Sequence, residues 1–246
     1  MKERGMIFNG EMVRAILDGR KTQTRRIVKG TDGAVKFCKE WDINGEEIFV
    51  VLGEKDHTGM NPVLGAISCP FGAVGDRIWV RETRGVVSHE LDEDGRIQPW
   101  TPDRPATVIH EMPFGNGYYS GHAIYAADGD FTWGDDDGYE DGRSCWKPSI
   151  HMPRAASRIL LEITDVRVER LNAISEEDAE AEGIDMEALY DSQDCYDCIA
   201  NHNMTGRPTV TGAFKYLWES IYGEEGWKSN PWVWVIEFKR IEGGAA

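Results

Sequence analysis

The chain has no long apolar run, few cysteines and no general excess of basic residues. A helix that crosses a membrane needs about 20 consecutive apolar residues, and the longest runs here, such as IFVVL (48–52) and WVWVI (232–236), are strand-sized. That excludes a helical membrane protein. No basic segment followed by an apolar one opens the sequence, so a cytoplasmic protein is expected rather than a secreted one. Five cysteines (Cys38, Cys69, Cys145, Cys195 and Cys198) among 246 residues are odd in number and too sparse for a disulfide scaffold. Basic residues number 27 against 43 acidic ones, a net charge of −16. A protein that coats duplex nucleic acid through its phosphates carries a basic surface, which argues against that class.

The 41% of apolar residues suffices for a core, and the length suits one domain spanning 1–246. The charge is uneven. Residues 1–29 hold eight basic side chains (Lys2, Arg4, Arg14, Arg20, Lys21, Arg25, Arg26, Lys29) against Glu3, Glu11 and Asp18, a local balance of +5. A cationic spot on an anionic body suits a small polar or anionic ligand, or a short nucleic-acid segment; an ordinary solvated helix face is the plainer reading of the same charges.

Residues 6–20 read as a strand running into a helix, with Asn9 as N-cap, Met12, Val13, Ile16 and Leu17 on one face, and Gly19 as the left-handed stop. GDRIWVRE (75–82) is a turn and an alternating strand. SRILLEITDVRVERL (157–171) is a strand or bent strand pair. Ser175 opens a short acidic helix with a Ser-x-x-Asp cap, and Gly183 ends it. AFKYLWESIYG (213–223) is an amphipathic helix, and WVWVIEFKR (232–240) is a closing strand. Strands separated by short helices, without βαβ repetition, predict a mixed α+β fold around a small barrel or curled sheet.

Three segments, about 31–74, 86–147 and 185–210, read as insertions: the first is Gly-rich with scattered apolar runs, including strand-like EEIFVVL (46–52), the second is loop-rich with a few short strands, and the third is irregular. The second includes DGDFTWGDDDGYEDG (128–142), with seven carboxylates in fifteen residues, a composition that buries little surface. It lacks the spacing of a calcium loop and reads as a solvated loop. Cys195, Cys198 and His202 give Cys-x2-Cys-x3-His, one ligand short of a structural zinc site unless Cys145 or His151 arrives from elsewhere. Without a second tight pair, no metal and no cofactor is expected.

The densest polar cluster is Gly19-Arg20-Lys21-Thr22-Gln23-Thr24-Arg25-Arg26. If 22–26 form a strand, Thr24 and Arg26 share one face and Gln23 and Arg25 the other. Lys21, at the helix–strand junction, then lies beside Thr24, and a hydroxyl near a neutral amine is a nucleophile–base pair. Free lysine titrates near 10.4, so base action at neutral pH needs a depression of about two to three units. The neighbouring arginines and partial burial work in that direction. The plain alternative is a basic structural corner.

ILDGRKTQTRR (16–26), the GD turn and strand at 75–80, TDVRVERL (164–171), ISEEDAEAEGI (174–184) and the terminal WVIEFKR (234–240) together resemble the ASCH domain family, over about 100 of the 246 residues. The family pattern ILxGRKTxTxR is matched closely. The resemblance implies a PUA-like β-barrel with flanking short helices, and, from its amidohydrolase members, hydrolysis of N4-acetylcytidine. By motif it places the catalytic lysine and threonine at Lys21 and Thr24 and the catalytic glutamate at Glu182, with Glu176, Glu177, Asp178 and Glu180 as alternatives. Arg20, Arg26, Glu82 and Trp79 are the expected substrate contacts. Arg26 would hold an oxyanion or phosphate, and Trp79, Trp232 and Trp234 are candidates to stack a base. The expected partner is a nucleoside or modified base, then a short single-stranded RNA, and no membrane. The longer chain also looks like ASCH-containing proteins of phages and prophages, which leaves a rival reading: a module that binds RNA or a modified base without catalysis. A ribonuclease is disfavoured because the six histidines are scattered.

Overall fold

The computed structural model describes residues 1–114, 117–133, 145–191 and 209–241. Cys195, Cys198, His202 and the acidic run after Trp133 lie outside them. In chain order the first half holds β1 (Glu3–Ile7), α1 (Gly10–Leu17), β2 (Gln23–Ile27), β3 (Lys36–Trp41), β4 (Glu47–Leu52), β5 (Val63–Ile67), β6 (Arg77–Arg81) and β7 (Arg84–Val87). Then come β8 (His89–Leu91), β9 (Ile97–Pro99), β10 (Thr107–Phe114), β11 (Gly117–Tyr125), β12 (Leu160–Arg170), α2 (Glu176–Ala181), α3 (Met186–Asp191), α4 (Val210–Tyr222), α5 (Glu224–Lys228) and β13 (Trp232–Arg240). The fold is mixed α+β, rich in sheet. Among the described residues the strands form open sheets and none closes into the expected barrel, since closure requires every edge strand to find a partner. No helix among them is long and apolar enough to cross a membrane.

The chain, expected as one interrupted domain, divides into two compact units. The first comprises Met1–Lys2, Ala15–Arg77 and Glu162–Lys239; the second comprises Glu3–Arg14, Ile78–Leu161 and the residues from Arg240. Each unit draws on distant stretches of chain, which a linear reading of composition does not expose.

In the first unit the strand order is β12-β13-β2. β13 and β2 are antiparallel, with Val235 opposite Arg25 and Ile236 opposite Thr24. Strand alternation sends Val233 and Val235 to one face, where they are fully buried with Leu171, Ala179, Phe214 and Trp218. Trp234 and Ile236 go to the other, and the Trp234 ring meets Phe49 edge-on at 5.0 Å. The stretch 31–74, where a strand was expected only at 46–52, is a three-stranded antiparallel meander, β3-β4-β5, with that strand in the middle. Its middle strand alternates buried Glu47, Phe49 and Val51 with half-buried neighbours. It packs on the last strand through Phe49 and through Phe37, whose ring lies 4.9 Å from Trp232. Trp232 and Trp234 are therefore packing residues rather than open stacking platforms; Trp232 is also covered by the Arg170 guanidinium at 4.3 Å.

In the second unit β1 neighbours β6, and β10-β11-β7 form an antiparallel sheet. The few short strands expected in 86–147 include a longer pair. TVIHEMPF and GYYSGHAIY form a hairpin, and Ile109, Met112, Ala123 and Tyr125 build a core with Met152 and Ala156. The carboxylates that follow this hairpin lower the average hydropathy of the whole segment and hide its β-rich part.

Candidate functional site

Local signals place the two arms of the site. Asn9 Oδ1 accepts a hydrogen bond from the Met12 amide at 2.8 Å and starts α1. Gly19, at φ +78°, ends the turn after it, and the Lys21 amide donates back to the Ala15 carbonyl at 2.9 Å. On the other arm Ser175 Oγ accepts from the Asp178 amide at 3.1 Å and caps α2. Glu182 is the C-cap that follows the last residue of that helix, and Gly183, at φ +93°, turns the chain away. The arms then meet: Lys21 and Glu182 form an antiparallel bridge, and the Thr22 amide donates to the Ala181 carbonyl at 2.8 Å.

The approach is close enough to demand glycine at position 183. A Cβ there would stand 2.8 Å from the Cβ atoms of both Ala15 and Lys21, and a side chain at that φ adds strain of its own. Gly183→Ala is expected to lose about 2–4 kcal/mol of stability and to part Lys21 from Glu182. Denaturant unfolding of the variant checks this; an unchanged midpoint would contradict the packing described.

Lys21 Nζ donates to Glu182 Oε2 at 2.5 Å and to the Glu182 carbonyl at 2.7 Å. The two side chains are 0% and 3% exposed. Burial, the strongest influence on the Lys21 amine, pulls it below its ordinary value of 10.5; Glu182 opposes this by charge and hydrogen bond, while the Arg26 and Arg25 charges add to the lowering. Glu182 Oε1 lies 3.6 Å from Arg25 Nη1 and, among the described residues, is a buried oxygen without a hydrogen-bond partner. Such an acceptor is costly to leave unpaired and is available to a donor from a ligand.

Thr24 is fully buried, and its Oγ1 accepts from Arg26 Nη1 at 2.7 Å. Lys21 and Thr24 share no hydrogen bond. Arg26 links them, since it holds the Thr24 oxygen and its charge acts on Lys21. Burial likewise lowers the Arg26 guanidinium, against the pull of Tyr222 and Glu182.

On the face of β2 opposite Thr24, Arg25 is 1% exposed. Its Nη2 donates to Asp178 Oδ2 at 2.7 Å, its Nη1 donates to Gln23 Oε1, and its guanidinium lies 5.8 Å from the Phe214 ring centre. Asp178 Oδ1 also accepts from Gln23 Nε2 at 2.9 Å, and both Asp178 oxygens accept from Arg167 Nη2, at 2.9 and 2.8 Å. Burial opposes the Asp178 charge, but these bonds outweigh it and hold the carboxyl below its ordinary range. Sequence reasoning passed over this Gln23–Arg25–Asp178–Arg167 network. The available signals were the alternation of 21, 23 and 25, and the i,i+4 spacing of Asp178 and Glu182 on one helix face.

The other expected contacts lie elsewhere. Arg20 Nη1 donates to the Gly183 carbonyl at 2.9 Å and Nη2 to Asp18 at 3.0 Å. Arg20 lines an open groove of about 600 Å³ with Thr22, Glu180, Ala181, Ile184 and Glu187. Thr22 and Ala181 are the chain neighbours of Lys21 and Glu182, so the groove adjoins the amine–carboxylate pair without being lined by it. Glu82 and Trp79 belong to the second unit. Glu82, 1% exposed, gives both carboxylate oxygens to Arg158, at 3.0 and 2.9 Å. Trp79 packs against Gly5, where a Cβ would come within 2.6 Å of its ring, and Arg81 lies 5.4 Å from the ring centre. Among the described residues no group of three His, Cys, Asp or Glu is placed to hold a metal ion. No family model, curated protein or solved structure matches the chain.

Proposed function

We propose that the chain is an ASCH-type protein with a PUA-like fold and that it hydrolyses the exocyclic amide of an N4-acetylcytidine-type nucleoside or modified base. The observation that carries this reading is the buried Lys21–Glu182 pair, whose amine is pulled below 10.5 in part by the charge of Arg26, the residue that holds the Thr24 hydroxyl. In the proposed reaction Thr24 Oγ attacks the acetyl carbonyl carbon as its proton passes to the neutral Lys21 amine, directly or through one water. Arg26, already on the Thr24 oxygen, stabilises the developing oxyanion. The carbon–nitrogen bond then breaks, and the exocyclic nitrogen leaves with a proton relayed by Lys21 and Glu182. Water hydrolyses the acetyl-threonine ester, releasing acetate and restoring the hydroxyl. Hydrogen bonds between catalytic groups often tighten only once substrate is bound, which accommodates the separate partners of Lys21 and Thr24.

Incubation of the pure protein with N4-acetylcytidine tests the reading. Acetate and cytidine are expected in equal amounts, and Lys21→Ala and Thr24→Ala are each expected to lose about 100-fold or more in rate. Acetate release that survives both substitutions would place the chemistry elsewhere. Salt-sensitive RNA affinity without any turnover would favour the binding module instead.

A further inference from the structure

We propose that Asp178 is a positioning residue: by holding Arg25, it keeps the Glu182 carboxylate on Lys21 and so sets the charge of the amine. The inference rests on the reading of Lys21 as the base, and it adds a part that the Lys/Thr/Glu set lacks.

The argument is geometric. Asp178 and Glu182 lie four residues apart and face β2 together. The Arg25 guanidinium spans them, 2.7 Å from Asp178 Oδ2 at one end and 3.6 Å from Glu182 Oε1 at the other. The Asp178 end is the closer contact, so Arg25 is drawn away from Glu182, and Glu182 Oε2 is left to Lys21 at 2.5 Å. Asp178 is itself fixed on three sides, by its Ser175 cap, by Gln23 and by Arg167. The charged groups around this chain are Glu182 and Asp178 from α2 and its cap, Arg25 and Arg26 from β2, Arg167 and Glu169 from β12, Glu237 from β13, and Tyr222 from α4. Glu169 lies 3.6 Å from Arg25 and also accepts from Arg167 at 2.6 Å, Glu237 accepts from Arg167, and Tyr222 acts on Arg26. Removing the Asp178 charge frees Arg25 to move onto Glu182, in competition with Lys21, and leaves less negative charge to balance the guanidinium beside the amine. Both changes disfavour the ammonium. Removing the Arg25 charge favours it.

The test is the pH dependence of acetate release by the full chain, with titration of the Lys21 nitrogen by NMR in the absence of substrate. Asp178→Asn is expected to move the acid limb, and the NMR midpoint, down by about half to one pH unit, and Arg25→Gln to move both up by a similar amount. Asp178→Glu is expected to restore the wild-type limb. A role confined to folding would lower the rate equally at every pH and leave both midpoints in place, which would overturn the proposal. If Asp178→Asn does not fold, the direction of the Arg25→Gln shift decides, and a downward or absent shift overturns it. Opposite NMR shifts in a protein that releases no acetate would support the positioning role and remove the assigned reaction.

Discussion

Lys21→Met is expected to cost about 3–5 kcal/mol of stability, because it strands the Glu182 carboxylate in a site where that side chain is 3% exposed. A buried pair has paid for its desolvation with its mutual attraction, so deleting one partner is far worse than deleting both. The double variant Lys21→Met/Glu182→Leu is therefore expected to regain most of the loss while releasing no acetate. That combination separates chemistry from folding: a protein as stable as wild type, yet inert. The pH dependence carries a second signature. The folded-state amine sits below the 10.5 of the unfolded chain, so between those two values the unfolded state binds the extra proton and stability rises with pH. The double variant lacks that rise. Urea unfolding of the three proteins across pH measures both effects, and equal midpoints for single and double variants would contradict the pairing.

The second large effect is expected in the other unit. Arg158→Met removes the shared partner of Glu82 and Asp128, whose carboxylates lie 2.9 and 2.7 Å from its guanidinium, and uncovers the Tyr125 ring 3.9 Å beneath it. A loss of about 3–5 kcal/mol is expected. Burial already raises the Glu82 carboxyl above its ordinary value, with the Arg158 bonds opposing that rise. Without Arg158 the carboxyl rises further. A group whose folded value is raised contributes stability that fades as pH climbs through that value, so the variant should be least impaired in acid and most impaired near neutral pH. Thermal unfolding at several pH values checks this. A deficit that does not vary with pH would show that Glu82 is not the stranded group. The Arg158 contacts also explain why Glu82 is unsuited to the substrate-binding role expected from sequence: both oxygens are already engaged.

The parts of this site that were legible in the sequence are those fixed by neighbours along the chain. As helix caps and stops, Asn9, Gly19, Ser175 and Gly183 act within one turn of their own position, so residue type and spacing suffice to name them in that role. Pairing Lys21 with Glu182, 161 residues away, came from resemblance to the ASCH family; spacing alone offers several acids in the same helix. The role of Arg25 was hidden because a buried guanidinium and an exposed one look alike in sequence, and only the docking of α2 beside β2 distinguishes them. Strand alternation brings Thr24 to Arg26 and leaves Arg25 facing Asp178 and Glu182, and Lys21 and Thr24 share no hydrogen bond. The β10–β11 hairpin was obscured by the carboxylates that follow it, since composition averaged over sixty residues cannot resolve a strand pair of twenty.

A crystal structure of Thr24→Ala soaked with N4-acetylcytidine tests the central claim most directly. The account predicts the exocyclic nitrogen within hydrogen-bond reach of Glu182 Oε1, the oxygen that accepts no hydrogen bond among the described residues, and the acetyl carbon about 3–3.5 Å from where the missing hydroxyl would stand. A nucleoside seated instead in the groove of Arg20 and Glu180, with Lys21 and Glu182 still closed on each other, would contradict it.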